Sequence, residues 1–103
     1  MKVTTTPGQE RLNLKDGTYL LLMKRKNRRD VPEMTNEEFA RNVFRMTKSG
    51  EEIWRIKTDR DSFGSPFIKL FLDSDPRRMA NWDGLKYIVD LETGEAEEYA
   101  YSP

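Results

Sequence analysis

The chain has 103 residues, with 18 Lys or Arg, 18 Asp or Glu, no Cys and no His, so its formal net charge is 0. A chain of this length builds one domain around one core. Without Cys and His it has no disulfide, no thiolate nucleophile and no imidazole base, and it lacks the usual zinc, copper and iron ligands.

The first ten residues are polar and include Pro7-Gly8, which predicts a flexible leader (1–10) ahead of a single domain (11–103). This N-terminus has no apolar run of signal-peptide length, and no later segment has the length of a membrane span. We therefore expect a soluble protein of the bacterial cytoplasm that does not contact a membrane.

A first hairpin follows the leader. Residues 11–15 alternate apolar and polar side chains, Asp16-Gly17 predicts a tight turn, and residues 18–23 predict the second strand. This second strand is apolar on both faces, with Tyr19, Leu21 and Met23 on one and Leu20 and Leu22 on the other. Such a strand is either covered twice or leaves one face for a partner.

The segment after this hairpin is basic and then ambiguous. Residues 24–29 hold five cations, and Thr35-Asn36-Glu37-Glu38 has the form of a helix-capping box. Residues 36–46 fit either a helix, with Phe39, Val43 and Met46 on one side, or a strand that enters a turn at 48–51. We favour a short helical turn near 36–40, followed by a strand to about residue 48.

The rest of the chain predicts further short strands separated by turns. Strands are expected at 52–57, 67–72, 77–82, 85–91 and 96–101, and a longer loop at 58–66 contains Phe63. Trp54 and Ile56 are expected on one core-facing side of their strand. In the strand 67–72, Ile68, Leu70 and Leu72 are expected on one face, and Phe67 and Phe71 on the other. The sequence thus predicts an all-β fold of about seven to eight antiparallel strands, arranged as a meander, a sandwich or a partly open barrel.

Two segments carry a resemblance to known proteins. Residues 42–56 contain Asn-Val-Phe, a glycine turn and a Trp strand, and residues 81–94 contain Asn-Trp-Asp-Gly followed by an Asp-x-x-Thr-Gly turn. Together they resemble small uncharacterised bacterial all-β proteins and single blades of quinoprotein-type β-propellers. The resemblance implies an order of strands and no transferable activity, and one chain of this length holds one blade at most.

Few side chains offer chemistry. At the Trp82-Asp83-Gly84 turn we expect Trp82 in the core and Asp83 as the cap of its own turn; the alternative is an indole exposed at a binding surface. The Asp59/Asp61 and Asp73/Asp75 pairs could ligate calcium, but neither is followed by the glycine and distal glutamate of a calcium-binding hand. We assign no catalytic residue, no metal ligand, no cofactor and no small-molecule substrate.

Charge is unevenly distributed along the chain. Residues 1–29 hold eight Lys or Arg and two acids, whereas residues 30–103 hold ten and sixteen. Either the first hairpin lies beside the acidic last strand, so that their charges meet across one sheet, or the two regions face different molecules.

Our first hypothesis is therefore a non-enzymatic protein–protein interaction module, which binds a partner or a second copy. The alternative is a nucleic-acid-binding accessory protein that uses the basic run, which a net charge of zero disfavours; a third is a carboxylate enzyme or a calcium-binding protein. The candidate interaction surface consists of Lys24, Arg25, Lys26, Arg28, Arg29, Phe63, Trp82 and Tyr101.

Overall fold

A computed structural model describes residues 3–6, 8–25, 31–70 and 78–101, with the side chains of 8–25, 31–70 and 78–100. In this part the chain forms nine strands, one α-helix and one 3₁₀ helix. They are β1 (Val3–Thr6), β2 (Gln9–Asn13), β3 (Tyr19–Met23), α1 (Asn36–Ala40), β4 (Val43–Met46), β5 (Glu52–Arg55), the 3₁₀ helix (Asp61–Phe63), β6 (Phe67–Leu70), β7 (Arg78–Asn81), β8 (Leu85–Val89) and β9 (Ala96–Tyr101).

The strands form two antiparallel sheets, which confirms the predicted all-β class. The first sheet has the order β1-β2-β3-β4-β5 and the second the order β6-β7-β8-β9, so each is a meander of chain neighbours. Just after β5 and just before β9, a parallel bridge between Lys57 and Glu95 links the two sheets. No helix in the described ranges is long and apolar enough to cross a membrane.

Residues 3–6, within the predicted leader, form a strand that the sequence did not indicate. β1 pairs with β2 in the register Val3 to Leu12 and Thr6 to Gln9, and Gly8 forms the turn between them at φ +85°. Val and Thr are β-branched and favour extended backbone, so this polar segment suits an edge strand. A polar segment can therefore form a paired edge strand.

Residues 36–46 divide between a helix and a strand as predicted. The capping box forms around α1: the Glu38 N–H donates to Thr35 Oγ1 (3.1 Å) and the Thr35 N–H donates to Glu38 Oε1 (3.3 Å). In β3, Leu20 and Leu22 on one face are fully buried in the core, whereas on the other face Tyr19 is buried and Leu21 and Met23 are half-buried.

One core cluster takes side chains from both sheets. Leu12, Leu20, Leu22, Val43, Trp54 and Ile56 come from the first sheet and its extension, and Phe67, Leu70, Met79, Tyr87, Val89 and Ala96 from the second. Trp54 is thus in the core, as expected, and Phe67 packs edge-on against Tyr87 with ring centroids 5.3 Å apart. The molecule is therefore a two-sheet structure whose faces share one apolar interior.

Strand β6 departs from the predicted alternation. Phe67 and Leu70 are buried while Ile68 and Lys69 are exposed, because a bulge shifts the pairing with β7 between Phe67 and Lys69. The prediction that Ile68 and Leu70 share a face was therefore wrong. The expected end of this strand, residues 71–72, lies outside the described residues.

The acidic last strand does not lie beside the basic first hairpin. β9 pairs with β8 in the second sheet, whereas β2 and β3 belong to the first. Of the two alternatives for the charge asymmetry, the one in which these charges meet across one sheet was therefore wrong. Each sheet is a separate meander, and the hairpin and β9 belong to different sheets.

Candidate functional site

Two aromatic side chains stand far out of the surface. Phe63 is 70% exposed and Trp82 is 72% exposed, whereas the other described large apolar side chains with notable exposure lie near 43–44%. Phe63 ends the 3₁₀ helix and Trp82 lies in the turn between β7 and β8. We call these two side chains, with the loop 64–66 and the turn 82–84, the aromatic end.

The expected core position of Trp82 was wrong for a local reason. The core side chains of the β7–β8 hairpin are Met79, Tyr87 and Val89, and Met79 lies opposite Tyr87 in the register. Trp82 follows the last residue of β7 and is part of the turn itself. A turn residue has no inward sheet face, so the indole projects to solvent.

Asn81 holds this turn. It is 4% exposed, and its Oδ1 accepts the N–H groups of Asp83 (3.1 Å) and Leu85 (3.0 Å). The Gly84 N–H also donates to the Asn81 carbonyl (3.2 Å), with Gly84 at φ +84°. The turn is therefore capped by Asn81, and the expectation that Asp83 caps its own turn was wrong. An Asn two residues before the turn aspartate was the available signal, since Asn side chains commonly bond backbone two residues on.

The loop that follows Phe63 is fastened to the Trp82 turn. The Trp82 N–H donates to the Pro66 carbonyl (2.8 Å), and the Ser65 hydroxyl donates to Asp83 Oδ2. Two bonds between the two segments restrict the backbone on which Trp82 stands and the loop that follows Phe63. The sequence offered no signal for Ser65.

The base of the 3₁₀ helix is a buried carboxylate. Asp61, 5% exposed, accepts from Arg41 Nε (2.7 Å), from the Thr58 N–H (3.1 Å) and from the Thr58 hydroxyl (3.0 Å). The helix ends at Phe63, and the next residue, Gly64, has φ +73° and lies beside the Asn36 side chain. Phe63 is therefore carried on a short element that is fixed at both ends.

Tyr101, another predicted surface residue, lies at the same end of the second sheet by its backbone. It pairs with Leu85, which directly follows the turn 82–84. The Tyr101 side chain lies outside the described part of the chain. The structure thus brings together the segments of all three aromatic residues that the sequence proposed separately.

Only part of the basic run, Lys24 and Arg25, lies among the described residues. Lys24 is exposed, while Arg25 donates to the carbonyls of Phe39 (3.4 Å) and Glu38 (3.3 Å) at the end of α1. Burial, and then the neighbouring charge of Arg55, lowers the pKa of the Arg25 guanidinium. Lys26, Arg28 and Arg29 lie outside the described residues.

Within the described residues, the acidic side chains that could ligate a metal ion either form other bonds already or lie apart from one another. Of the proposed calcium pairs, Asp61 is saturated by Arg41 and Thr58 while Asp59 is exposed, and Asp73 and Asp75 fall outside the described residues. In the described ranges no three acidic side chains are grouped to hold a metal ion. Burial raises the pKa of the core Tyr87 phenol, so this hydroxyl stays protonated at neutral pH.

The aromatic end can bind without reacting. Two exposed rings offer apolar area, and Ser65 and Asp83, which are close to them in the chain, add polar groups. Aromatic anchors with a polar rim are typical of protein–protein docking surfaces.

The comparisons with known proteins add a family and no activity. The model of one protein family, described as a domain of unknown function, matches residues 16–101. No curated protein and no solved structure gave a match. None of this bears on the predicted resemblance to a propeller blade, which stays a prediction.

Proposed function

The chain belongs to the DUF7957 family of domains of unknown function, and from that premise we propose that it is a non-enzymatic interaction module of the bacterial cytoplasm, which docks a partner protein on its aromatic end. One observation carries the proposal: Phe63 and Trp82, at 70% and 72% exposure, stand on two loops that are bonded to each other.

Exposed apolar rings are costly to keep in water, because each aromatic side chain buries roughly 150–250 Å² when it is covered. Scattered aliphatic residues at a surface need no explanation, but adjoining exposed aromatic segments mark binding sites. Trp is also among the residues that dominate binding energy at interfaces.

The locked turn adds affinity by lowering the entropy lost on binding. Asn81 and Pro66 fix the backbone on both sides of the Trp82 indole before any partner arrives. A pre-ordered anchor loses less conformational freedom in the complex than a mobile one. We therefore expect binding through Trp82 with little rearrangement of the chain.

The nucleic-acid alternative draws no support from this geometry. Arg25, one of the five cations it needs, donates to backbone carbonyls of α1. The aromatic end itself offers Asp83 next to Trp82, and a carboxylate repels phosphate.

The test is affinity capture from a lysate of the organism that encodes the protein. Three immobilised baits are compared: the native chain, the double variant Phe63→Ala/Trp82→Ala, and the control Ile53→Ala, which trims an exposed apolar side chain on the first sheet. We expect a stoichiometric protein on the native and control baits that is missing from the double variant. The same proteins on all three baits, or none on the native bait, would exclude docking at the aromatic end.

A further inference from the structure

The first sheet carries apolar side chains on the face that points away from the core. Leu20 and Leu22 point into the core that both sheets share, so the alternate residues of β3 lie on the opposite face, which we call the outer face. Val43 of β4 is buried opposite Leu22, so the alternate residues of β4 share the outer face. Four half-buried apolar side chains form a stripe there: Leu21, Met23, Phe44 and Met46. Outward positions of a sheet that faces water are usually polar, so this stripe suits a partner.

Arginines border the apolar stripe on both sides. Arg11 of β2 lies opposite Leu21 in the register, and Leu21 lies opposite Phe44. Phe44 in turn lies opposite Arg55 of β5. One row across four strands therefore runs cation, apolar, apolar, cation. Since neighbouring strands are about 4.8 Å apart, the two arginine positions are separated by roughly 14 Å.

Aromatic rings hold both guanidinium groups over the outer face. The guanidinium carbon of Arg11 lies 3.7 Å from the centroid of the Tyr19 ring, and that of Arg55 lies 4.9 Å from the centroid of the Phe44 ring. Tyr19 is on the outer face as well, because it alternates with Leu20. A guanidinium that stacks on a ring still presents N–H donors in its own plane, which is the geometry that carboxylates bind. The two cations are therefore positioned before any partner arrives.

The outer face is positively charged. At the outer-face positions of β2 to β5, all of which are described, the acid is Glu52, which bonds Arg55 at 3.1 Å. A guanidinium has five N–H donors, so Arg55 keeps others for a second carboxylate. Arg25, just after β3, adds to the charge: burial and then the nearby charge of Arg55 lower the pKa of its guanidinium. An acidic partner complements this face.

We propose that the outer face of the first sheet binds an amphipathic helix of a partner protein, with the apolar side of the helix on β3 and β4 and Glu or Asp residues on both of its flanks. A helix with its side chains is about 10–12 Å across, which fits between arginine positions roughly 14 Å apart. Its flanking carboxylates meet Arg11 and Arg55. The same face of a second copy would bring like charges together, which favours the acidic partner over self-association. This surface contains no residue of the aromatic end.

A synthetic helical peptide with leucines along one side and glutamates on both flanks is the probe. It is titrated into the full chain labelled with ¹³C at its methionine methyl groups. We expect saturable shifts of the Met23 and Met46 signals, while Met79, which is 0% exposed in the core, keeps its signal unchanged. A control peptide with lysine in place of each glutamate should bind at least about tenfold more weakly, because its charges are repelled.

Three outcomes of this titration would overturn the proposal. Unchanged Met23 and Met46 signals would exclude the site. Equal binding of the glutamate and lysine peptides would exclude an acidic partner. Shifts of the same two signals that depend on protein concentration, without peptide, would assign the outer face to a second copy.

The charge contribution is tested on the protein. Arg11→Gln/Arg55→Gln should weaken binding of the glutamate peptide by about three- to tenfold, through the loss of two exposed charge pairs. The matched control is Arg78→Gln, which removes an exposed arginine that stacks on Tyr99 at 5.2 Å in the second sheet and should leave the affinity unchanged. Equal losses in the double variant and the control would show unspecific attraction by charge and overturn the site.

The apolar contribution is tested with Leu21→Thr. Threonine is β-branched and suits a strand, so the core methyl signal should report an intact fold. Because an apolar contact is lost, the affinity for the glutamate peptide should fall by about five- to 30-fold. Unchanged affinity would contradict the docking of a helix on the apolar stripe.

Discussion

The buried amide of Asn42 joins the two sheets. Asn42 is 0% exposed; its Nδ2 donates to the carbonyls of Met23 (2.9 Å) and Phe67 (2.8 Å), and its Oδ1 accepts the Phe67 N–H (2.8 Å). The amide thus pairs with Phe67 as a strand would. It satisfies backbone groups at the start of β6 that would otherwise be buried without a partner.

Replacing Asn42 by Ala should therefore cost much more than losing one surface bond. The change leaves the buried N–H and C=O groups that Asn42 bonds without a partner. We therefore expect the free energy of unfolding to fall by about 2–4 kcal/mol in urea titrations. Asn13→Ala, at an exposed position of β2, is the matched control and should change it by less than about 0.5 kcal/mol. Similar losses in both variants would contradict the joining role.

Gly94 lies directly against the Trp54 ring. It adopts φ +82°, and a Cβ added there would lie 2.7 Å from Trp54 Cδ2. Trp54 in turn donates its indole N–H to the Leu91 carbonyl (2.7 Å), which Arg45 Nη1 also bonds (2.6 Å). The turn between β8 and β9 is thereby attached to the first sheet, and only glycine permits so close an approach.

Two alanine variants separate this contact from backbone strain. Gly50 has φ +94° and nothing within 4 Å of an added Cβ. Gly50→Ala should therefore show only the left-handed backbone cost of about 1–2 kcal/mol, and Gly94→Ala should lose about 1–3 kcal/mol more through overpacking. Equal thermal destabilisation of the two variants would contradict the Trp54 contact.

Asp16 supplies a pH-dependent prediction. The Thr18 hydroxyl (2.6 Å) and N–H (3.0 Å), and then the charge of Arg45, hold the pKa of the Asp16 carboxyl below its usual value. A carboxyl with a lowered folded-state pKa adds stability above its unfolded pKa, and this is lost as pH falls through the folded value. Thr18→Ala should raise the Asp16 pKa measured by NMR titration; an unchanged value would refute this cause.

At the scale of elements, strands with regular alternation were predictable and irregular ones were not. β3 pairs in an unbroken register with both β2 and β4, and its core residues Leu20 and Leu22 follow the expected period of two. β6 contains a bulge, and a bulge adds a residue that no periodicity reveals. The sequence indicated Phe63 and Trp82 only as separate surface candidates. It could not show that their segments adjoin, because the Trp82–Pro66 hydrogen bond joins parts of the chain that are distant in sequence.

The two tryptophans differ strongly in solvent exposure, because Trp82 lies in the β7–β8 turn and Trp54 lies in β5. Trp82 is 72% exposed and Trp54 is 7% exposed. Acrylamide should therefore quench one component of the fluorescence strongly and leave the other protected. Trp82→Phe should abolish the strongly quenched component. Two protected tryptophans in the native chain would restore the core position that the sequence first indicated for Trp82.

At the scale of the whole molecule, charge and topology produce separate surfaces. The basic end of β3 belongs to the first sheet and the acidic β9 to the second, and the aromatic end lies where β7 turns into β8. Sequence composition predicted the charge asymmetry but not its placement, because strand order decides which charges become neighbours. Strand order therefore places the basic strand end, the acidic strand and the aromatic end on different elements of one small domain.

The most direct test of the account is the dissociation constant of the captured partner for the native chain and for Trp82→Ala. If the aromatic end is the docking surface, the variant should bind at least about 30-fold more weakly, as expected for an interface anchor worth 2 kcal/mol or more, and Ile53→Ala should bind as the native chain does. Equal affinity of the native chain and Trp82→Ala would contradict the proposal.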